Sequence, residues 1–140
     1  MAPVSGFFAL KPFHRPRLWL GLWVFAVMAV VVLSLVNLSG LPPVPEGGDK
    51  VEHFLAYALL SASAVQLFAR RRASLLIALL LVVLGIGLEF AQGTLTTTRM
   101  ADPRDALANT LGVLAGTATM LTPMRRMLAT IDARLRPARA

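Results

Sequence analysis

Residues 18–38 form an apolar run without a single charged side chain. At ~1.5 Å per residue a helix of this length crosses the ~30 Å hydrocarbon core of a bilayer. Peptide groups in hydrocarbon must hydrogen-bond within their own segment, so a chain built on such a run is committed to helices. Three further apolar runs follow, over residues 50–69, 73–92 and 103–122. A proline- and glycine-rich connector, the triplet Arg70-Arg71-Arg72 and a threonine-rich loop separate them. The expected fold is all-α: a four-transmembrane-helix bundle over residues 18–122, between a basic N-terminus (1–17) and a basic tail (123–140).

Run one is too long for the apolar core of a secretory leader. It also leads into Ser39-Gly40-Leu41-Pro42-Pro43 without a small-x-small cleavage pattern, so it is expected to stay attached. A hydrophobic content of 56% suits that reading and argues against a water-soluble globule. The absence of cysteine excludes disulfides, thiolate metal sites and a cysteine nucleophile. The net charge of +7 lies in short clusters between apolar runs. That distribution reports topology and contact with anionic lipid, and nucleic acid is not expected as a partner.

Charge also sets the orientation. Eleven of the fourteen Lys and Arg residues lie in the N-terminus, the 70–72 triplet or the tail, against Lys50, Arg99 and Arg104 in the alternate connectors. The positive-inside rule then places both termini in the cytoplasm of a multi-pass membrane protein. In the tail, Met124, Met127, Leu128, Ile131 and Leu135 recur at helical spacing beside arginines, as in a short amphipathic interfacial helix.

With that topology, six of the seven acidic residues gather at the outward end, Asp132 being the exception. Asp49, Lys50 and His53 open helix two, Glu89 and Gln92 close helix three, and Arg99, Asp102, Asp105 and Asn109 lead into helix four. Several have plain structural roles. Asp49, with Glu52 three residues on, suits a capping box, and Asp102 an N-cap ahead of Pro103. Asp105 complements the helix dipole, and Tyr57 suits a membrane interface. Asn109 suits an interhelical hydrogen bond, and Ala108, Gly112 and Gly116 form a small-residue strip for close helix packing. Glu89 is harder to account for this way: no cap needs an acid on that face, so it either pairs with Arg99, Arg104 or His53 or serves a ligand or a proton. With one histidine in the region and no HExxH spacing, neither a metal nor a cofactor is expected.

The ordered set Asp49-Lys50-x-x-His53-x-x-x-Tyr57, Glu89-x-x-Gln92 and Arg99-x-x-Asp102-x-x-Asp105-x-x-x-Asn109-x-x-Gly112 resembles the signature of the VanZ-like family, small multi-helix bacterial membrane proteins. The founding member accompanies glycopeptide-resistance clusters and raises resistance to teicoplanin. The resemblance implies a place in the envelope and an architecture more than an activity.

The leading expectation is an outward-facing polar site built from Asp49, Lys50, His53, Tyr57, Glu89, Gln92, Arg99, Asp102, Asp105 and Asn109. It would bind an amphiphile of the envelope: a lipid-linked cell-wall intermediate, a phospholipid or a lipoglycopeptide. Two alternatives stay open. One is a membrane-embedded hydrolase or transferase acting on a lipid head group, with His53, Glu89 or Asp105 as acid or base. The other is an accessory subunit whose polar network only fixes the bundle.

Overall fold

The computed structural model describes residues 6–36, 47–95 and 102–135. Among the described residues the regular structure is helical, apart from one antiparallel bridge, Leu10 to Phe68. Five helices follow in order: α1 (Pro16–Leu35), α2 (Gly48–Leu67), α3 (Arg71–Leu95), α4 (Pro103–Ala118) and α5 (Met127–Arg134). Two 3-10 turns, Thr119–Leu121 and Pro123–Arg126, link the last two. Two of the helices, α1 and α3, are long and apolar enough to cross a membrane. The other two runs fall short: α4 has 16 helical residues before its 3-10 turn, and α2 opens with Asp49, Lys50, Glu52 and His53.

Helices α2 and α4 form the tightest pair because glycine permits it. A Cβ on Gly112 would land on the carbonyl oxygen of Phe54, and one on Gly116 on that of Ala58. The small-residue strip therefore brings two backbones into contact. Ser61 and Thr117 share a hydroxyl hydrogen bond of 2.7 Å along the same seam. Helix α3 packs against the pair through Ile77, Leu81 and Gly85. Helix α1 lies outermost and buries no residue fully, holding on through Trp19, Trp23 and Val27. The Trp23 indole donates to the Leu60 carbonyl at 2.9 Å, and Gln92 of α3 donates to the Ser34 carbonyl at 2.8 Å.

The α2–α3 corner differs from expectation. Arg71 and Arg72 open α3 instead of closing α2, which ends where Phe68 turns extended. A helix end leaves carbonyls without partners, and here the N-terminal segment supplies them. The Lys11 backbone N–H donates to Leu67 O at 2.9 Å, and its ammonium donates to Val65 O at 2.8 Å and also to Arg125 O. Residues expected as a separate N-terminal arm thus cap the bundle.

The tail also does more than lie on a surface. Met124, Met127, Ile131 and Leu135 are exposed along one side of it, as the amphipathic pattern implies. Its bundle-facing side docks: Leu128 N–H donates to the Gln66 side chain at 2.7 Å, and Asp132 is buried. The Asp132 carboxylate accepts from the Trp19 indole at 2.7 Å and from the His14 backbone N–H at 2.5 Å. The sequence held a signal for this, since Asp132 lies four residues after Leu128 and shares its face.

Candidate functional site

The first turns of α2 and α4 lie side by side, with the last turns of α3 beside them. Helix α4 begins with Asp102 as N-cap, its carboxylate accepting from the Arg104 N–H at 2.8 Å, and Pro103 at the first helical position. That cap aims Asp105, three residues further on, into the bundle, where it is buried. The expected capping box of α2 does not form. Gly47, at φ 79°, is the N-cap, and Asp49 sits inside the first turn. Glycine adopts this left-handed conformation without a Cβ clash, which frees the Asp49 carboxylate for another partner.

That partner is Lys50. Its ammonium lies 2.9 Å from Asp49, 3.2 Å from Asp102 and 3.3 Å from Asp105, one cation among three carboxylates from two helices. The Asp102 carboxyl is held below its ordinary value, first by the Arg104 N–H and then by the Lys50 side chain.

One turn below, His53 Nδ1 lies 3.0 Å from the carboxamide oxygen of buried Asn109. A carboxamide oxygen only accepts, so Nδ1 carries the proton and donates, and in the neutral ring the lone pair is on Nε2. Nε2 lies 3.9 Å from Asp105 Oδ2, and Nδ1 lies 3.9 Å from Glu89 Oε1. Glu89 is 5% exposed. Its Oε2 accepts a long bond from the Asp102 N–H at 3.4 Å, while Oε1 has no hydrogen-bond partner among the described residues. One ligand atom each from His53, Glu89 and Asp105 falls within 4.8 Å of the others. This three-helix cluster is the arrangement that could hold a metal ion. Local sequence spacing does not reveal it, because the distances run between helices.

The remaining expected residues divide. Tyr57 lies deeper on the same face of α2. It is 2% exposed, so it is a core residue and not the interfacial aromatic its type suggested. Its hydroxyl has no hydrogen-bond partner among the described residues. Its ring packs where a side chain on Gly85 would stand. Gln92 shares the buried face of α3 but reaches α1 through Ser34. Arg99 lies outside the described residues. Of the partners considered for Glu89, His53 is the one the structure places beside it.

A second feature lies at the other end of the bundle. A cavity of about 760 Å³ is lined by Lys11, Arg71, Arg125 and Arg126 together with apolar groups such as Phe68 and Leu121. Burial, and then Arg125 and Arg126, lower the Lys11 pKa. The basic clusters were visible in the sequence, but the cavity between them was not.

Comparison with family models, with curated proteins and with solved structures finds no match to this chain. The VanZ-like resemblance therefore rests on the residues that carry it.

Proposed function

We propose that the chain is a multi-pass protein of the bacterial inner membrane that binds the polar head of an envelope amphiphile at its outward face. One observation carries the membrane part: large apolar side chains cover the outside of the bundle while several polar ones are buried within it. Glu89, Gln92, Asp105 and Asn109 are buried, while Phe25, Leu59, Leu79, Phe90, Leu114 and Leu121 are exposed. Large apolar side chains exposed on this scale are unfavourable in water, and a lipid-facing surface of this kind costs nothing in hydrocarbon. Helices α2 and α4 take part as the polar-lined inner pair, shielded on the lipid side by Leu55, Leu59, Leu107 and Leu111. With the cationic ends cytoplasmic, the Lys50–His53–Glu89–Asp105 cluster opens at the outer head-group level.

There the exposed rim offers Lys50 to a phosphate or carboxylate, and Asp49 and Asp102 to hydroxyls and amides. Lipid-linked cell-wall intermediates, phospholipids and lipoglycopeptides share this chemistry: an anionic or hydrogen-bonding head on an apolar tail. The test is binding by purified protein in nanodiscs, with each class titrated separately. Saturable binding to one class, weakened in Lys50→Gln and His53→Ala while both variants keep their helicity, supports the reading. Equal binding by the wild type and both variants removes it.

The unpartnered Glu89 oxygen beside His53 favours a second reading, acid–base chemistry on the same head group. Turnover of a bound lipid that disappears in Glu89→Gln while binding persists would select it.

A further inference from the structure

We propose that His53, Glu89 and Asp105 form a site for one divalent transition-metal cation, zinc above all. Three observations converge. The residue types are suitable: an imidazole and two carboxylates, each from a different helix, with ligand atoms within 4.8 Å of one another. Bonds of about 2.0–2.2 Å to Zn²⁺ would require each atom to move inward by less than about 1 Å. The second observation is Glu89 itself, nine-tenths buried with Oε1 unpartnered among the described residues. A buried carboxylate with an idle oxygen is costly unless a proton or cation meets it. The third is Asn109. Metal-bound histidines commonly donate their second ring N–H to an oxygen acceptor, which fixes the tautomer. Asn109 accepts from Nδ1 in this way, leaving the Nε2 lone pair on the Asp105 side.

One imidazole and two carboxylates make a harder donor set than the thiolate and imidazole shells of structural zinc sites. Three protein ligands also leave coordination positions open. His53 is partly exposed at the rim, so an ion has a route in. Lys50 is a built-in competitor, since its ammonium holds Asp105 from the other side at 3.3 Å. This predicts opposite effects for neighbouring substitutions. Removing a ligand weakens the site, whereas removing Lys50 strengthens it.

The proposal rests on the cluster's geometry alone and not on amphiphile binding, so the experiment uses the metal by itself. The purified full chain in detergent, stripped with a chelator, is titrated with Zn²⁺ and separately with Mn²⁺ and Mg²⁺. Bound metal is read by equilibrium dialysis and elemental analysis. The expected result is one Zn²⁺ per chain, Mn²⁺ weaker and Mg²⁺ weaker still. Glu89→Gln, Asp105→Asn and His53→Gln should each lose that stoichiometric binding, and His14→Gln should keep it. Asn109→Ala should bind about 10- to 100-fold more weakly, as outer-shell changes do. Lys50→Met, which deletes no ligand, should bind about tenfold more tightly, and this holds the test open if a ligand variant fails to fold. Absence of one-to-one Zn²⁺ binding, binding that survives in folded ligand variants, or weaker binding in Lys50→Met overturns the site. Failure here with intact lipid binding would leave the proposed function standing.

Discussion

The Trp19 indole and the Asp132 carboxylate meet at 2.7 Å, closing the first helix onto the last across more than a hundred residues of chain. With the His14 N–H on its other oxygen, Asp132 ties the start of α1 to α5 through both donors. Asp132→Ala should cost about 1–3 kcal/mol, the usual penalty for stranding buried donors. Thermal unfolding in detergent checks the magnitude. Limited proteolysis should show the tail released first, since α5 loses its anchor while the four-helix core keeps its own contacts.

The same carboxylate gives a pH dependence of definite sign. Burial alone would raise its pKa, but the bonds from Trp19 and His14 outweigh burial and hold it below the ordinary carboxylate value. A group with a depressed folded pKa stabilises fully above its unfolded value, about 3.9 for aspartate, and that contribution fades as pH falls through the folded value. Tail docking should therefore be constant near neutrality and weaken below about pH 4. In Asp132→Asn this acid-dependent component should vanish, leaving a lower but flatter curve of protease resistance against pH.

Glycine packing on α4 gives the sharpest contrast between neighbouring positions. Gly112→Ala and Gly116→Ala push a methyl group into the α2 backbone, which cannot retreat as a flexible side chain would. Each should cost about 1–3 kcal/mol or force the pair apart. Gly87→Ala meets nothing within 4 Å, and should leave melting unchanged or raise stability by up to about 1 kcal/mol. Equal effects at all three positions would contradict backbone contact between α2 and α4.

Much of this was legible in the sequence, and the parts that were not have a common cause. Apolar run lengths and 3.6-residue periodicity marked the helices, and the alignment of Asp105, Asn109, Gly112 and Gly116 marked the inner face of α4. Those are properties of one helix at a time. Whether Asp49 or Gly47 caps α2 depends on the route of the chain into the helix, which was set by a left-handed glycine. Burial of Tyr57 depends on Gly85 facing it from α3. Docking of Lys11 at the end of α2, and of Asp132 beneath Trp19, joins chain ends through long-range hydrogen bonds that no local spacing encodes. The acidic residues of the candidate site were identified together, but their distances belong to the packing.

Lys50 tests whether that packing is electrostatic. It stands among Asp49, Asp102 and Asp105, partly exposed, between the limits of a surface pair and a buried one. Lys50→Gln should lower the melting temperature, because it leaves three carboxylates facing one another without their cation. Asp105→Asn in the same chain removes one of the repelling carboxylates. The double variant should therefore be more stable than the two single effects predict. Additive effects in metal-free protein would mean that Lys50 and Asp105 are neighbours without being coupled.

Orientation can be tested without touching the site, because the native chain has no cysteine to remove. Glu52 and Arg134 are both exposed, one near the start of α2 and the other at the end of α5. Lys and Arg clustering at the N-terminus, the α2–α3 corner and the tail favours those three segments in the cytoplasm, because translocating them against the membrane potential is opposed. Glu52→Cys should then react with a membrane-impermeant maleimide in intact spheroplasts. Arg134→Cys and Arg71→Cys should react after permeabilisation and not before. The reverse pattern would place the carboxylate cluster at the cytoplasmic face, where periplasmic lipoglycopeptides and flipped lipid-linked intermediates do not reach it, and those two ligand classes would fall with it.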